Sequence, residues 1–286
     1  MEGSVRSGDA PTRGERKSRD SVVIRFAGDS GDGMQLTGSQ FTLSSAIIGN
    51  DLATFPDYPA EIRAPAGTTF GVSAFQVHFA AQSVLTPGDE PEVLVAMNPA
   101  ALKVNLADLD PGGLIVIDRD AFNDKNLRKA GYRENPLEDQ SLEGYRVLAP
   151  DMSRLTQAAV KPFGLSQKES LRCKNMWALG LMMWMYDRDR KATVEWLEQK
   201  FANRPEIAGA NVAALNAGHA FGETAELPDL FHGYSVPRAE IAAGEYRAVT
   251  GSESLAWGLA TGAHLADLKL VFASYPITPA SNLLHI

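Results

Sequence analysis

A glycine-rich turn, Gly28-Asp29-Ser30-Gly31-Asp32-Gly33, lies between a β-branched, apolar run over 21–27 and a helical pattern over 34–48. A turn so placed gathers backbone N–H groups and the positive end of a helix dipole at one point, which suits a phosphate or pyrophosphate. The glycines follow G-x-x-G-x-G, not the G-x-G-x-x-G of dinucleotide-binding turns, and Asp29 and Asp32 repel an anion if both point inward. A tight turn whose aspartates cap the next helix accounts for the same residues. Sequence alone leaves both readings open.

Two further segments could touch a ligand. Residues 57–67 (DYPAEIRAPAG) form a proline-stiffened loop in which Arg63 can grip a phosphate or carboxylate with two N–H groups, or simply pair with Glu61. In Tyr275-Pro276-Ile277-Thr278-Pro279 two prolines clamp a threonine just after an apolar run, where a fixed hydroxyl can donate to a carboxylate or carbonyl; an ordinary proline-rich turn is the alternative. The five histidines are scattered without H-x-x-x-H spacing, so no metal site is expected, and no G-x-S-x-G elbow is present.

The elements that must position these residues read as α/β. Strands are expected over 70–79, 92–97, 113–118 and 145–149, with helices over 99–109 and 153–160 between and after them. Residues 167–224 read as helical in three pieces, the first carrying a stripe (Met176, Trp177, Leu179, Met182, Met183, Met185) that reads as core. Residues 1–20 read as a flexible tail, 21–230 as one domain, 231–249 as a linker and 250–286 as the beginning of a second domain. That last piece holds a helix over 252–264 with serine at its start, a strand over 269–273 and a turn over 274–281. It is too small to bury a core, so either the sequence is a fragment, the favoured reading, or this piece completes a partner's sheet.

Composition narrows the classes. The 286 residues carry 27 Lys and Arg against 35 Asp and Glu, a formal charge of −8 that argues against a grip on nucleic acid. The apolar stretch 176–186 is too short to span a membrane, and the polar first twenty residues lack an export signal, which points to the cytoplasm. Cys173 is the only cysteine, so an iron–sulfur cluster would need a partner chain.

The segments FAGDSGDGMQLTGSQF (26–41), YPAEIRAPAG (58–67), VAMNPAAL (95–102), KNMWALG (174–180) and SYPITPAS (274–281) resemble the thiamine-diphosphate-dependent 2-oxoacid:ferredoxin oxidoreductases. The order matches the fused γ–α subunit of the 2-oxoglutarate type. The resemblance implies a Rossmann-like three-layer γ domain followed by the start of a pyrimidine-type thiamine-diphosphate-binding α/β domain. It also implies oxidative decarboxylation of a 2-oxoacid, with electrons passing to ferredoxin and the acyl group to coenzyme A.

Carried over by position, Tyr275, Pro276 and Ile277 lie against the thiamine pyrimidine and Thr278 contacts the substrate. Gly28, Ser30, Gly31, Asp32, Gly33 and Arg63 stand on the coenzyme A side. The resemblance further implies a β subunit that supplies the diphosphate and Mg2+ site and the iron–sulfur cluster, in a dimer of α–β pairs. The sequence departs from the family in its loop aspartates, where Gly-Gly-Gln is frequent, and at Ser252, where asparagine is usual. The family's ring-activating glutamate is expected beyond Ile286, which would leave this span inactive alone. Competing readings are a coenzyme A or nucleotide module without redox function, a structural subunit whose loop binds nothing, and a pyruvate or branched-chain 2-oxoacid substrate.

Overall fold

The computed structural model describes residues 16–58, 71–225, 227, 233–275, 277 and 280–286. In chain order its elements are β1 (Lys17–Ser18), β2 (Ser21–Asp29), α1 (Met34–Ile48), β3 (Asp51–Asp57), β4 (Val72–Ala80), β5 (Val93–Ala96), α2 (Pro99–Asn105), β6 (Leu114–Ile117) and α3 (Asp124–Lys129). Then come β7 (Arg146–Leu148), α4 (Met152–Val160), α5 (Gln167–Arg172), α6 (Lys174–Met185), α7 (Lys191–Lys200), α8 (Pro205–Thr224), β8 (Tyr234–Ser235) and α9 (Gly251–Leu265). Contacts divide the chain into residues 1–241 and 242–286.

In the first unit a six-stranded sheet runs β3-β4-β2-β5-β6-β7. β2, β5, β6 and β7 are parallel, whereas β4 is antiparallel to both β2 and β3. Every residue of β5 (VLVA) and β6 (LIVI) is buried, as parallel strands covered on both faces require. Their alternate side chains enter two separate cores. Val93, Val95, Leu114 and Val116 pack with α1, α4, α6 and α8, while Leu94, Ala96, Ile115 and Ile117 pack with α2 and α3. Helix, sheet and helix therefore form three layers, the α/β architecture that the sequence implies.

The methionine-rich stripe of α6 lies in the first core, with Met176, Leu179, Met182, Met183 and Met185 fully buried. α6 packs backbone to backbone on α8: a Cβ at Gly218 would stand 1.8 Å from the Trp177 carbonyl oxygen, and one at Gly180 would stand 1.9 Å from that of Leu215. Only glycine permits that approach.

Several spans differ from expectation. β3 forms where no strand is expected, as an edge strand that tolerates Pro56. In the span read as a tail, Lys17 and Ser18 pair in parallel with Tyr234 and Ser235, from the span read as a linker, and Tyr234 and Val236 are buried. Arg16 supports this closure by donating to the carbonyls of Trp184, Met185 and Tyr234.

In the second unit α9 is capped by Thr250, not Ser252. The Thr250 hydroxyl accepts from the Glu253 N–H, and the Glu253 carboxylate accepts from the Thr250 N–H. Residues 269–273, expected as a strand, have no regular structure: a strand needs a ladder partner, and the described residues of this unit offer none.

Candidate functional site

The first unit has a topological switch at the carboxyl ends of β2 and β5. From β2 the chain leaves through α1, on one face of the sheet, toward β3. From β5 it leaves through α2, on the opposite face, toward β6. The starts of two helices thus diverge around one crevice, the place where open α/β sheets bind ligands.

The glycine turn occupies one wall. Asp29 N–H donates to the Asp32 carboxylate (2.9 Å), Asp32 N–H to the Asp29 carbonyl (2.9 Å) and Ser30 N–H to the Gly71 carbonyl (2.9 Å). These three amides are therefore engaged within the protein. Gly33, at φ 75°, precedes α1, whose first-turn amides donate to no side-chain cap among the described residues. A Cβ on Gly31 would meet none of the described residues within 4 Å, whereas one on Gly28 would meet the Asp32 carboxylate at 2.9 Å. The sequence left open whether both aspartates point inward. They turn toward each other and are bridged by Asn98, whose Nδ2 donates to Asp29 (3.0 Å) and Asp32 (3.2 Å) while its Oδ1 caps α2 through the Ala101 N–H.

Burial, reinforced by the neighbouring Asp32 charge, raises the Asp29 carboxyl above the ordinary aspartate value; Lys129, Asn98 and Lys174 oppose the shift. Asp29, Asn98, Pro99, Asn126 and Lys129 line a cavity of about 70 Å³ beside the turn. A wider, open hollow of about 520 Å³ runs along α3, where burial pushes the Tyr132 phenol up to about 12.

The floor is an ion pair. Asp118, fully buried just beyond β6, accepts from Lys174 Nζ (2.9 Å), Ser153 Oγ (2.6 Å) and Ser153 N–H (3.1 Å). One carboxylate thereby ties the starts of α4 and α6 to the sheet and sets Asn175 against Gly33. Neither Asp118 nor Ser153 stood out in the sequence, because their spacing carries no motif, and Lys174 opens the segment KNMWALG but was given no role there. Asn98 was legible in principle: asparagine followed by proline is a helix start.

The other expected site residues are placed as follows. Arg63, Pro276 and Thr278 lie outside the described residues. Tyr275 and Ile277 belong to the second unit, and both are exposed. Cys173 is buried and its thiol is pushed up to about 11 by burial, with the Glu169 charge adding to the shift. Among the described residues no cluster of three or more His, Cys, Asp or Glu side chains is placed to hold a metal ion, and no helix is long and apolar enough to cross a membrane.

Comparison with known proteins follows the same lines. The pyruvate ferredoxin/flavodoxin oxidoreductase family matches residues 23–221. Over 271 residues, 95% of the chain, the sequence is 53% identical to the 2-oxoglutarate oxidoreductase subunit KorA of Mycobacterium tuberculosis. Among solved structures it resembles a 2-oxoglutarate:ferredoxin oxidoreductase from Magnetococcus marinus with 2-oxoglutarate, coenzyme A and succinyl-CoA bound, with a TM-score of 0.68 and 26% identity over 93% of the chain. The chain spans 41% of the length of each of these two proteins.

Proposed function

The chain belongs to the pyruvate ferredoxin/flavodoxin oxidoreductase family, and on that premise we propose that it is part of a 2-oxoglutarate:ferredoxin oxidoreductase. The reaction takes 2-oxoglutarate and coenzyme A to succinyl-CoA and carbon dioxide, with the electron pair passing to ferredoxin. The observation that carries this reading is the 53% identity, over nearly the whole chain, to a 2-oxoglutarate oxidoreductase subunit.

Residues 21–230 are the γ domain, on the coenzyme A side, and residues 250–286 begin the α domain. The crevice fits an anionic cosubstrate: α1 presents uncapped amides, Gly31 leaves room for close approach among the described residues, and Lys129 and Lys174 offset the Asp29 charge. Gly28, Ser30, Gly31, Asp32 and Gly33 form the wall of that site, and Arg63, outside the described residues, is assigned to coenzyme A as well.

Thiamine diphosphate, when bound, supplies the nucleophilic carbon and the electron sink for decarboxylation. The exposed faces of Tyr275 and Ile277 suit contact with its pyrimidine, together with Pro276, and the Thr278 hydroxyl bonds the substrate. Magnesium, the diphosphate contacts and the iron–sulfur cluster belong to a β subunit, in keeping with a single, buried cysteine here. The enzyme is a cytoplasmic dimer of α–β pairs.

The test is turnover by the complete complex, followed as succinyl-CoA formed and ferredoxin reduced. Turnover with 2-oxoglutarate that requires coenzyme A is the expected result. Preference for pyruvate or a branched-chain 2-oxoacid would refute the substrate assignment, and coenzyme A binding without ferredoxin reduction would leave a binding module in its place.

A further inference from the structure

We propose that Asn50 is a positioning residue for the coenzyme A-dependent half of the reaction: it seats residues 236–240 on the first unit and so keeps short the tether that carries the second. The inference rests on the assignment of the first unit to the coenzyme A side and adds a role which that assignment does not contain.

The span read as a linker stays bound to the first unit well past β8. Asn50, only 6% exposed, stands just after Gly49, the residue that ends α1 at φ 95°. Its Nδ2 donates to the Pro237 carbonyl at 2.6 Å, with the carbonyls of Val236 and Ala80 at 3.4 and 3.5 Å. Val236 and Pro237 lie beyond the β8 ladder, so their carbonyls need another donor where they meet the protein. One side chain supplies it and joins the segment to the end of β4. Val236 itself is buried in the first core. Further on, the Ala239 N–H donates to the Gly49 carbonyl at 2.9 Å and the Glu240 N–H to that of Ala81 at 3.3 Å. Arg238 lies against Gly49, where a Cβ would stand 2.8 Å from its Nε. The end of α1 and the end of β4 together form the seat.

What remains free is short. The first unit ends at Ile241, and residues 242–249 are all exposed and without regular structure up to Thr250, the cap of α9. Release of residues 236–241 would lengthen that tether from about eight to about fourteen residues. Because effective concentration falls roughly as the −3/2 power of tether length, coenzyme A held by the first unit would meet the second about twofold less often.

The experiment uses the complete complex and measures two rates: succinyl-CoA formation, and the single turnover of ferredoxin reduction that 2-oxoglutarate drives without coenzyme A. Asn50→Leu keeps the size of the side chain and loses the donor. It is expected to speed hydrogen exchange at the Ala239 and Glu240 amides about 10-fold or more and to slow succinyl-CoA formation about twofold, with the single turnover unchanged. Ala239→Pro, which removes the N–H given to Gly49, unseats the segment from its other side if Asn50→Leu does not fold. Glycine and serine residues inserted after Gly244 lengthen the tether without touching the seat: six should match Asn50→Leu, and 24 should slow succinyl-CoA formation about eightfold, with exchange at Ala239 as in the wild type. Succinyl-CoA formation indifferent to both insertions overturns the proposal, because Asn50 then acts on stability alone. So does an equal slowing of both rates in Asn50→Leu, and unchanged exchange at Ala239 and Glu240 refutes the seat itself. Absence of coenzyme A-dependent turnover in the wild-type complex would instead remove the functional reading on which the proposal stands.

Discussion

Gly218→Ala provides a sharp test of the packing that supports the crevice. In an open helix this substitution is stabilising by about 1 kcal/mol, because alanine restricts the unfolded chain. Here the new Cβ would lie 1.8 Å from the Trp177 carbonyl oxygen, and Cβ atoms essentially never approach a heavy atom within 3.0 Å. α6 and α8 must therefore separate locally by about 1.2 Å, a gap wide enough to forfeit roughly half of the dispersion well of each contact it opens. The obstacle is backbone, so no side-chain rotation relieves it. Overpacking of this kind costs about 3 kcal/mol, and the helix-propensity gain returns about 1, leaving a net loss of about 2 kcal/mol. For a domain of this size that is a fall in melting temperature of about 4 to 8 °C, measurable by calorimetry. The companion Gly180→Ala meets the Leu215 carbonyl at 1.9 Å in the same helix pair, so the double variant should lose less than the sum of the singles. Gly258→Ala on α9, where a Cβ meets nothing within 4 Å, is the control expected to be neutral or stabilising. A Gly218→Ala protein that melts at or above the wild-type temperature would refute the close approach of α6 and α8.

Other measurements probe the site. Asp118→Asn leaves Lys174 without its counter-charge beside a fully buried position and should cost about 3 to 5 kcal/mol; replacing both residues together by apolar ones of similar size should recover much of the loss, as read by urea unfolding. Because the Asp29 carboxyl is raised in the folded state, the protonated form favours folding, and that contribution fades as pH climbs from the ordinary value of 3.8 through the folded one. Asp29→Asn should accordingly flatten the fall in melting temperature over that window, and an unchanged slope would contradict the burial assigned to Asp29. Cys173 should resist a disulfide reagent at pH 8 in the native protein and react at once in denaturant; rapid native labelling would contradict its burial.

How far these features were legible in the sequence varies with the range of the interaction behind them. β2, β5 and β6 stand out because an apolar run covered on both faces leaves a local signature. β3 does not, since Asp51-Leu52-Ala53-Thr54-Phe55-Pro56-Asp57 has weak strand propensity and becomes a strand through pairing with β4. The converse holds at 269–273, where propensity is strong and no described partner exists. At the crevice, the glycine turn is visible as a contiguous motif. The Asp118–Lys174 and Gly33–Asn175 relations join positions 56 residues or more apart, and only the folded chain brings them together.

The short β1–β8 pair bears on the order of events during synthesis. Lys17 is matched with Tyr234, 217 positions later, so Lys17 and Ser18 cannot take their native place until almost the whole unit has been made. At about 5 to 20 residues per second, that interval is about 10 to 40 s, long compared with helix or hairpin formation. During it the rest of the sheet can assemble from nearer neighbours. Entropy sets little obstacle to the late closure, because its cost grows only with the logarithm of loop length. The pairing thus acts as a completion step, in which Lys17 and Ser18 are fastened by a strand made more than two hundred residues later.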